Sequence, residues 1–323
     1  MPEIAELVAQ LRSHEELRLE PDAPLRDHTR FGLGGPADLL IDALSEDAFL
    51  FALKEVRAAG TPYEVIGGGS NLVVADAPYR GAILRYRPSK ISITGDEIRV
   101  EAGAVLQDLV NASIDAGLEG LHTMTGIPGW VGAAIYGNAG AYGHSISEFV
   151  REVRYFDGTM VGTLDNFACH FRYRESTFKD HKGWLVLSST LQLPAGDRET
   201  LAKEAAGILE IRNAKYPPTM KCAGSIFKNL ILNELPAAVQ EIIPSKVVRE
   251  GKVASAWFLE QVDAKGMRRG EIEVATYHAN LIYNTGVGNA ADVRAIIDDL
   301  KRRVVDRFGL ELEEEVQFVG FSD

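Results

Sequence analysis

Hydrophobic and polar positions follow a helical period in some stretches of the chain and a strand-like period in others. Apolar residues spaced by three and four predict a helix from Ser45 to about Ala59, capped by Ser45 and stopped by Gly60. Glu46 and Asp47 in its first turn suit the positive end of the helix dipole. The same period predicts an amphipathic start at residues 4–11 and helices at 106–116, 197–214, 254–261 and 289–308.

Short β-rich runs lie between these helices, after a turn-rich stretch that precedes Asp38. They predict a hairpin at 150–163 and strands at 38–42, 63–66, 72–75, 82–84, 91–94, 98–101, 184–193, 279–284 and 315–319. Because strands and helices mix irregularly, the pattern favours an α+β fold over a strictly alternating parallel sheet. Tyr216-Pro217-Pro218 stops the helix at 197–214 and marks the expected internal boundary.

The charge balance narrows the classes of partner. The 323 residues include 34 Lys and Arg against 46 Asp and Glu, a net charge of −12, and no tract is dense in basic residues. That argues against a nucleic-acid or anionic-membrane binder, because either needs a basic footprint. The start of the chain is acidic where a secretory leader would be basic, and no apolar run is long enough to span a bilayer. We therefore expect a cytoplasmic protein.

Cysteine and histidine usage points away from structural metals. Cys169 and Cys222 form no Cys-x-x-Cys pair, and the seven histidines are scattered, so neither a disulfide framework nor a metal site is expected.

Glycine is abundant, with 31 of 323 residues. Because glycine lets a backbone approach phosphates closely, small phosphorylated ligands stay compatible with the acidic chain.

Two glycine-rich blocks carry the clearest ligand-binding patterns. In the first, Gly67-Gly68-Gly69-Ser70-Asn71 separates two apolar strands, and its successive amides can form an anion-binding concavity for a diphosphate. The second runs from Gly126 to Gly143 and encloses the helix-compatible Ala133 to Ile135, which suggests a short helix with its N-terminus toward a ligand. The alternative for either block is an ordinary turn or loop.

Three further patterns are less specific. Gly32 to Ala37 matches G-x-G-x-x-A, but no strand precedes it and a strand follows, so a Rossmann site is not expected. The Arg-rich stretch from Phe171 to Ser176 suits either a carboxylate ligand or an exposed strand edge. Ser225 follows a glycine, but no second glycine completes a nucleophile elbow, so a Ser-His-Asp hydrolase is disfavoured.

Taken in order, these segments resemble the UDP-N-acetylenolpyruvoylglucosamine reductase (MurB) family of flavoenzymes, over about Thr29 to Gly320. Within it, the short segment between Arg174 and Ser225 resembles the subgroup that lacks an extra tyrosine-bearing loop. The resemblance is carried by the blocks Phe31 to Ala37, Gly67 to Leu72, Gly126 to Gly143, Tyr173 to Ser176, Gly224 to Asn229, His278 to Asn284 and Leu312 to Val316.

The resemblance implies an α+β protein with a PCMH/vanillyl-alcohol-oxidase-type FAD-binding domain of two α/β subdomains and a C-terminal α+β substrate domain. The implied bounds are 1–210 for the flavin domain, with subdomains at about 1–85 and 86–210, then 211–310 for the substrate domain. Residues 311–323 would form a final strand that returns to the first subdomain. The implied ligands are non-covalent FAD, NADPH as co-substrate and a UDP-sugar, with no nucleic acid, membrane or metal partner and a monomer as default.

The resemblance also assigns residues to roles. It implies three catalytic residues: Arg174, which stabilises an enolate, Ser225, which donates a proton, and Glu315, which completes the set. Substrate contacts are expected from Tyr142, Lys215, Asn229 and Lys265. FAD would be held by Gly67, Gly68, Gly69, Ser70, Asn71, Leu72, Thr125, Gly126, Pro128, Gly129, Gly132, Asn138 and Gly140.

The implied activity is the NADPH-dependent reduction of an enolpyruvyl ether on a UDP-sugar to the corresponding lactyl ether, UDP-N-acetylmuramate, used for peptidoglycan. Two alternatives stay open. One is a flavin oxidase or dehydrogenase of the same fold that acts on a hydroxy acid or lactone; many such oxidases attach flavin through a histidine near this loop, and Gly67 to Leu72 contains none. The other is a non-catalytic nucleotide-binding protein, in which Ser225 and Glu315 would have no purpose.

Overall fold

The computed structural model describes residues 2–321. Its α-helices are α1 (Pro2–Leu11), α2 (Glu46–Ala58), α3 (Leu106–Asp115), α4 (Val131–Tyr136), α5 (Thr177–Asp180), α6 (Arg198–Lys215), α7 (Ala237–Gln240), α8 (Ser255–Gln261) and α9 (Ala290–Phe308). Single turns of 3₁₀-helix occur at Leu25–His28, Leu121–Met124, Ile146–Glu148, Leu232–Glu234 and Ser245–Val247.

The strands are mostly short. They are β1 (Leu17–Pro24), β2 (Pro36–Ala43), β3 (Tyr63–Val65), β4 (Leu72–Val74), β5 (Tyr79–Tyr86), β6 (Ile91–Thr94), β7 (Glu97–Glu101), β8 (Gly140–Ala141), β9 (His144–Ser145), β10 (Val150–Phe156), β11 (Val161–Asp165), β12 (Leu185–Gln192), β13 (Lys221–Ser225), β14 (Leu230–Ile231), β15 (Val248–Arg249), β16 (Lys252–Val253), β17 (Arg268–Arg269), β18 (Ile272–Val274), β19 (Leu281–Asn284) and β20 (Gln317–Val319).

The chain folds into two compact units that do not follow chain order. The first unit comprises the chain up to Ala23 together with Ala37–Gly68 and Arg80–Pro218. The second unit comprises Pro24–Pro36, Gly69–Tyr79 and the chain from Thr219 onward. Two segments of the N-terminal half therefore belong to the C-terminal unit. Compactness does not assign ligands, so the predicted division at 210 and 310 into a flavin and a substrate domain stays a prediction.

The first unit contains two principal sheets. One has the order β1-β2-β5-β3, and the other, antiparallel, has the order β11-β10-β12-β7-β6. Helix α2 buries Phe49, Leu53 and Val56 in the core of the first sheet. As predicted, the Ser45 side chain caps this helix by accepting a hydrogen bond from the Ala48 N–H, and Gly60 follows with a φ of +64°.

The sequence pattern did not predict strand β1. Residues 17–24 form the edge strand β1, although they lie in the stretch predicted to be turn-rich. Pro21 and Asp22 disfavour strands, and Asp22 has a φ of +53°. An edge position tolerates both residues because one side of the strand needs no ladder hydrogen bonds. Its pairing with β2 is a tertiary contact that local propensity does not report.

The second unit is organised by the antiparallel sheet β13-β19-β18-β17 and by α9. Helix α9 places Val293, Ile297 and Leu300 in the core of this unit. Its bounds agree with the predicted helix at 289–308: the Asn289 side chain caps its start, and Gly309 follows its end with a left-handed backbone. A separate parallel pair joins β20 to β4, with Gln317 opposite Leu72. The last strand of the described chain thus pairs with the strand that follows the first glycine block.

The described helices, those of residues 2–321, include none that is both long and apolar enough to cross a membrane. Within the same residues, no group of three or more His, Cys, Asp or Glu side chains is arranged to hold a metal ion. Both cysteines, Cys169 and Cys222, are buried free thiols.

Candidate active site

The first glycine block begins in the first unit, directly after β3. The Ile66 N–H donates to the Leu84 carbonyl at 3.0 Å, which holds the start of the loop against β5. A Cβ at Gly68 would lie 2.9 Å from the indole nitrogen of Trp130, and one at Gly67 would lie 3.5 Å from the Ala133 methyl carbon. Gly68 is therefore required so that the loop backbone can lie directly against Trp130.

The same loop continues into the second unit at Gly69. Its φ is +67°, and a Cβ there would lie 2.0 Å from the His28 carbonyl oxygen, so no other residue fits without moving the backbone. The Gly69 carbonyl accepts a hydrogen bond from the Arg30 N–H at 3.0 Å. Leu72 then enters β4 and pairs with Gln317. The loop is thus bonded to the backbone of residues 28–30 at Gly69 and to β20 at Leu72.

The backbone of this loop fits the diphosphate expected from the sequence. Across the described residues, 2–321, no protein acceptor receives the N–H groups of Gly67, Gly68 and Gly69. Consecutive amide donors on a glycine backbone form a concavity suited to an anion. The chemistry of these donors therefore fits the pyrophosphate of a dinucleotide cofactor such as FAD.

The second glycine block, in the first unit, uses its backbone differently. The Gly126 N–H, at a φ of +76°, donates to the Gln107 side chain at 2.7 Å, and the Thr125 hydroxyl donates to the His122 carbonyl at 2.7 Å. Pro128 precedes Gly129, whose carbonyl accepts from the Leu106 N–H at 2.9 Å. These bonds fix the shape of the loop.

The short helix expected in this block exists as α4, but its N-terminus does not offer its first amides to a ligand. The Val131 N–H donates to the Ala104 carbonyl and the Gly132 N–H to the Ala102 carbonyl, both at 2.8 Å. A Cβ at Gly132 would lie 2.8 Å from the Ala102 methyl carbon. The expectation of a helix terminus aimed at a ligand was therefore wrong for these two amides, because the neighbouring 102–104 segment occupies them.

Arg174 lies in a tight turn of the first unit, and its backbone is left-handed with a φ of +58°. Arg172 and Glu175 close the turn by exchanging backbone hydrogen bonds of 3.0 and 3.1 Å. One guanidinium nitrogen of Arg174, Nη2, donates to the Gly140 carbonyl at 3.0 Å. The Asn138 amide donates to the Arg172 carbonyl at 2.9 Å. The structure thus brings the Arg174 turn together with residues 138–140 of the second glycine block.

Two expected substrate-contacting residues also belong to the first unit. Tyr142 lies in the turn of the β8–β9 hairpin with a φ of +54° and a half-exposed ring. Lys215 is the last residue of α6, and its ammonium lies 5.0 Å from the centre of the Tyr216 ring. The Gly140 that accepts from Arg174 starts the same hairpin as Tyr142. Tyr142 is therefore within two residues of the arginine's anchor.

Ser225 and Glu315 lie on neighbouring segments of the second unit. Ser225 ends β13 opposite Leu281 of β19, after Gly224 with a φ of +81°. The backbone of the next residue, Ile226, accepts a hydrogen bond from the Glu315 N–H at 2.7 Å. The pairing continues between Phe227 and Glu314. The hydroxyl and the carboxylate predicted to act together are therefore carried by two directly hydrogen-bonded segments.

Asn280 forms hydrogen bonds with the segment that follows Ser225. Its side-chain oxygen accepts from the Phe227 N–H at 2.9 Å, and its amide donates to the Phe227 carbonyl at 2.9 Å and to the Ser255 hydroxyl at 2.7 Å. Its backbone carbonyl accepts from the Ile226 N–H at 3.1 Å. The Ser255 N–H in turn donates to the Asn229 side chain at 3.3 Å. One buried asparagine thus supports the segment that carries both Ser225 and Asn229.

The fourth expected substrate contact, Lys265, forms an exposed ion pair with Glu260 at 2.6 Å in the second unit. The site residues therefore divide between the units. The first holds Gly67, Gly68, Thr125, Gly126, Pro128, Gly129, Gly132, Asn138, Gly140, Tyr142, Arg174 and Lys215, and the second holds Gly69, Ser70, Asn71, Leu72, Ser225, Asn229, Lys265 and Glu315.

Tyr136, the last residue of α4, is bonded through its backbone to the segment that follows the arginine turn. Its backbone carbonyl accepts from the buried Ser176 hydroxyl at 2.7 Å. The pKa of the Tyr136 phenol is raised, first by burial and then by the carboxylates of Glu175 and Glu64. The pKa of Glu64 is itself raised by burial, with Lys182 acting in the opposite direction.

Sequence reasoning missed three supporting residues, Trp130, Lys179 and Asn280. Each lies inside a segment that the sequence singled out or directly beside one, but none was assigned a role. The Trp130 indole packs against the backbone of the first glycine loop. Lys179 donates a hydrogen bond to the Arg174 carbonyl, and Asn280 donates one to the carbonyl of Phe227 in the serine segment. The strand expected after the glycines of Gly32 to Ala37 is present, because β2 begins at Pro36, where a dinucleotide-binding fingerprint requires a helix.

Family models match two separate parts of the chain. Residues 216–319 match the family of UDP-N-acetylenolpyruvoylglucosamine reductase C-terminal domains, and residues 37–163 match the family of FAD binding domains. A UDP-N-acetylenolpyruvoylglucosamine reductase from Solibacter usitatus is 55% identical over 304 residues, 94% of this chain and 97% of that protein. Another from Rubrobacter xylanophilus is 36% identical over 304 residues, covering 93% of this chain and 94% of that protein.

A solved structure is similar over nearly the whole fold. The crystal structure of UDP-N-acetylenolpyruvylglucosamine reductase (MurB) from Thermus caldophilus superposes with a TM-score of 0.72 at 27% sequence identity. The match covers 94% of this chain and 99% of that one.

Proposed function

The chain belongs to the UDP-N-acetylenolpyruvoylglucosamine reductase (MurB) family, and from this premise we propose that Arg174, Ser225 and Glu315 carry its chemistry. The α+β fold with a PCMH-type FAD-binding domain is the one expected from the sequence. The chain is an FAD-containing, NADPH-dependent reductase that converts UDP-N-acetyl-3-O-(1-carboxyvinyl)-glucosamine to UDP-N-acetylmuramate for peptidoglycan synthesis.

Bound FAD would supply the hydride-transfer chemistry that links NADPH to C3 of the enolpyruvyl group. We assign its pyrophosphate to Gly67 to Leu72, where three consecutive glycine N–H groups are available as donors. The remaining contacts are assigned to the block from Thr125 to Gly140, whose loop shape is held by Gln107 and His122. The family match at 37–163 supports this placement because it contains both blocks.

Arg174 is the residue suited to the developing negative charge. Hydride delivery to C3 of a vinyl ether is feasible only if charge at C2 spreads into the adjacent carboxylate. A guanidinium presents a planar fork of N–H donors that matches a carboxylate or enolate, and stabilising charge that develops in the transition state accelerates the step. The anchor from Nη2 to the Gly140 carbonyl, at 3.0 Å, gives this guanidinium a defined direction.

Ser225 delivers the proton to C2. A serine hydroxyl is a weak acid in water, so it can act only on a strongly basic carbon held at hydrogen-bond distance. Glu315 assists as its hydrogen-bonding neighbour. The observation that supports this assignment is the hydrogen bond of 2.7 Å between the Glu315 N–H and the Ile226 carbonyl, which pairs the backbone segments that contain Ser225 and Glu315.

The UDP-sugar contacts are assigned to Tyr142, Lys215, Asn229 and Lys265. Two lysines and a tyrosine are suitable partners for a diphosphate and a sugar, and Asn229 is oriented by its bond from the Ser255 N–H at 3.3 Å. In the second unit, Lys265 already pairs with the Glu260 carboxylate. A bound diphosphate would compete with Glu260 for this ammonium.

Three further assignments complete the proposal. Residues 1–210 bind FAD, 211–310 bind the UDP-sugar, and 311–323 supply a strand whose described part pairs with β4. The protein acts in the cytoplasm as a monomer, without nucleic acid, membrane or metal partners. It belongs to the subgroup that lacks the extra tyrosine-bearing loop, because the segment from Arg174 to Ser225 is too short to hold it.

The test separates the two half-reactions in a stopped-flow spectrometer. Ser225→Ala is expected to let NADPH bleach the flavin at the normal rate while slowing its reoxidation by the enolpyruvyl substrate by roughly 10²- to 10³-fold, the scale for loss of one transition-state donor. Ser245→Ala, an exposed serine of the same unit, is the matched control and should behave as wild type. Unimpaired reoxidation in Ser225→Ala would remove Ser225 from the mechanism.

A further inference from the structure

The backbone of Arg174 is held in a conformation that a non-glycine residue seldom adopts. Its φ of +58° lies in the left-handed region, which costs of order 1 kcal/mol for a residue with a Cβ and persists only when neighbouring contacts enforce it. The reciprocal bonds between Arg172 and Glu175 close the turn, but neither of these two bonds engages the Arg174 carbonyl. A contact to that carbonyl can therefore stabilise the left-handed residue further.

Lys179 supplies that contact. Its ammonium donates to the Arg174 carbonyl at 2.7 Å and lies 3.5 Å from the Glu175 carboxylate. Only 14% of the Lys179 side chain is exposed, so the charge is partly withdrawn from water and its hydrogen bonds are correspondingly strong. The lysine therefore bridges the strained residue and the residue that follows it.

The platform that carries Lys179 is itself rigid. Helix α5 begins after Ser176, whose buried hydroxyl donates to the Tyr136 carbonyl at 2.7 Å. The Thr177 N–H donates to the Cys169 carbonyl at 2.8 Å, and the Phe178 side chain is fully buried. Because three successive residues before it are fixed, Lys179 approaches Arg174 from a constant position.

Arg174 is thus held at both of its ends. Lys179 holds the backbone carbonyl, and Gly140 receives the guanidinium at 3.0 Å. We propose that Lys179 is a positioning residue that keeps Arg174 in its left-handed turn and so directs the guanidinium toward the substrate carboxylate. This inference rests on the proposed role of Arg174. Lys179 touches no reacting atom in this account, and acts through the arginine alone.

The test uses Lys179→Met, which keeps the length of the side chain but removes its donor. The matched control is Lys182→Met, a nearby exposed lysine that forms no hydrogen bond with the turn among the described residues. Lys179→Met is expected to slow flavin reoxidation by the enolpyruvyl substrate by roughly 10- to 100-fold, the loss typical of one charged hydrogen bond. Flavin reduction by NADPH should stay within about threefold of wild type, and Lys182→Met should change neither half-reaction.

A double-mutant cycle with Arg174→Lys separates this inference from the proposed function. If Lys179 acts through Arg174, its replacement should cost little further rate once Arg174 is changed. Equal losses from Lys179→Met in both backgrounds would show a merely structural role and overturn the inference, as would normal reoxidation in Lys179→Met alone. If Arg174→Lys itself reoxidises at the wild-type rate, the proposed role of Arg174 fails instead.

Discussion

The side-chain amide of Asn71 donates a hydrogen bond to the backbone carbonyl of Glu315 at 2.9 Å, and the Asn71 carbonyl accepts from the Gln317 N–H at 2.9 Å. The glycine loop assigned to the cofactor and the glutamate assigned to proton delivery are therefore joined by a side chain. Asn71 thus supports the backbone of Glu315, in addition to being part of the glycine loop.

Asn71→Ala should lower both the stability of the protein and the rate of flavin reoxidation. We expect the free energy of unfolding to fall by about 1 to 3 kcal/mol, because the Glu315 carbonyl loses its donor. Flavin reoxidation should slow more than flavin reduction, since the proposed role of Glu315 belongs to the second half-reaction. Urea unfolding and stopped-flow traces measure the two effects. Wild-type stability together with unchanged reoxidation would show that the bond contributes nothing to the site.

Gly69 and Gly60 offer a matched pair for the cofactor loop. Both have left-handed backbones, with φ of +67° and +64°, but a Cβ at Gly69 would lie 2.0 Å from the His28 carbonyl whereas one at Gly60 meets open space. Gly60→Ala should therefore cost about 1 kcal/mol, the conformational penalty alone. Gly69→Ala adds a steric clash and should cost several times more, with loss of bound flavin. Similar unfolding midpoints and flavin contents for the two variants would contradict this account.

Asn280→Asp tests the support of the serine segment. The substitution replaces an amide donor with an oxygen that faces the Phe227 carbonyl, in a side chain that is only 3% exposed. We expect the free energy of unfolding to fall by about 1 to 3 kcal/mol. Flavin reoxidation should slow, while NADPH should still bleach the flavin. Asn233→Asp, at an exposed position of the same unit, serves as control. Equal behaviour of the two variants would remove Asn280 from the support of Ser225.

The Cys169 thiol should make stability depend on alkaline pH. Burial, assisted by the Asp165 carboxylate, raises its pKa from 9.0 to about 12. The folded state therefore retains a proton that the unfolded state releases, so this contribution is complete below about pH 9 and is lost as the pH rises toward the folded pKa. Cys169→Ala should flatten the decline of the unfolding free energy above pH 9 relative to wild type, and identical pH profiles would contradict the assignment.

The same burial predicts how the thiols react. Because the thiolate is the nucleophile, a neutral buried thiol should not react with a disulfide reagent in the folded protein. Neither Cys169 nor Cys222 exposes surface, so both should label only after unfolding in guanidinium chloride. Stoichiometric labelling of the folded protein at pH 8 would show that one of these sites opens.

Elements whose signals are local were predictable from the sequence. Helix α2 follows from the Ser45 cap, its acidic first turn and Gly60, and α9 follows from Asn289 and Gly309, because caps and dipole charges lie within a few residues of the helix they define. Strand β1 was not predictable, because Pro21 and Asp22 oppose a strand locally, whereas its pairing with β2 is a tertiary contact.

The amino-acid sequence by itself determined the order of the candidate residues, namely the glycine blocks, Arg174, Ser225 and Glu315, and its resemblance to a known family supplied the roles proposed for them. The tertiary structure alone decided that the glycine loop changes unit between Gly68 and Gly69 and that the first amides of α4 are already bonded. It alone showed the supports from Lys179 and Asn280. These features depend on hydrogen bonds and close approaches between segments distant in sequence or on a turn's exact geometry, and no local pattern of hydrophobic, polar or glycine positions encodes them.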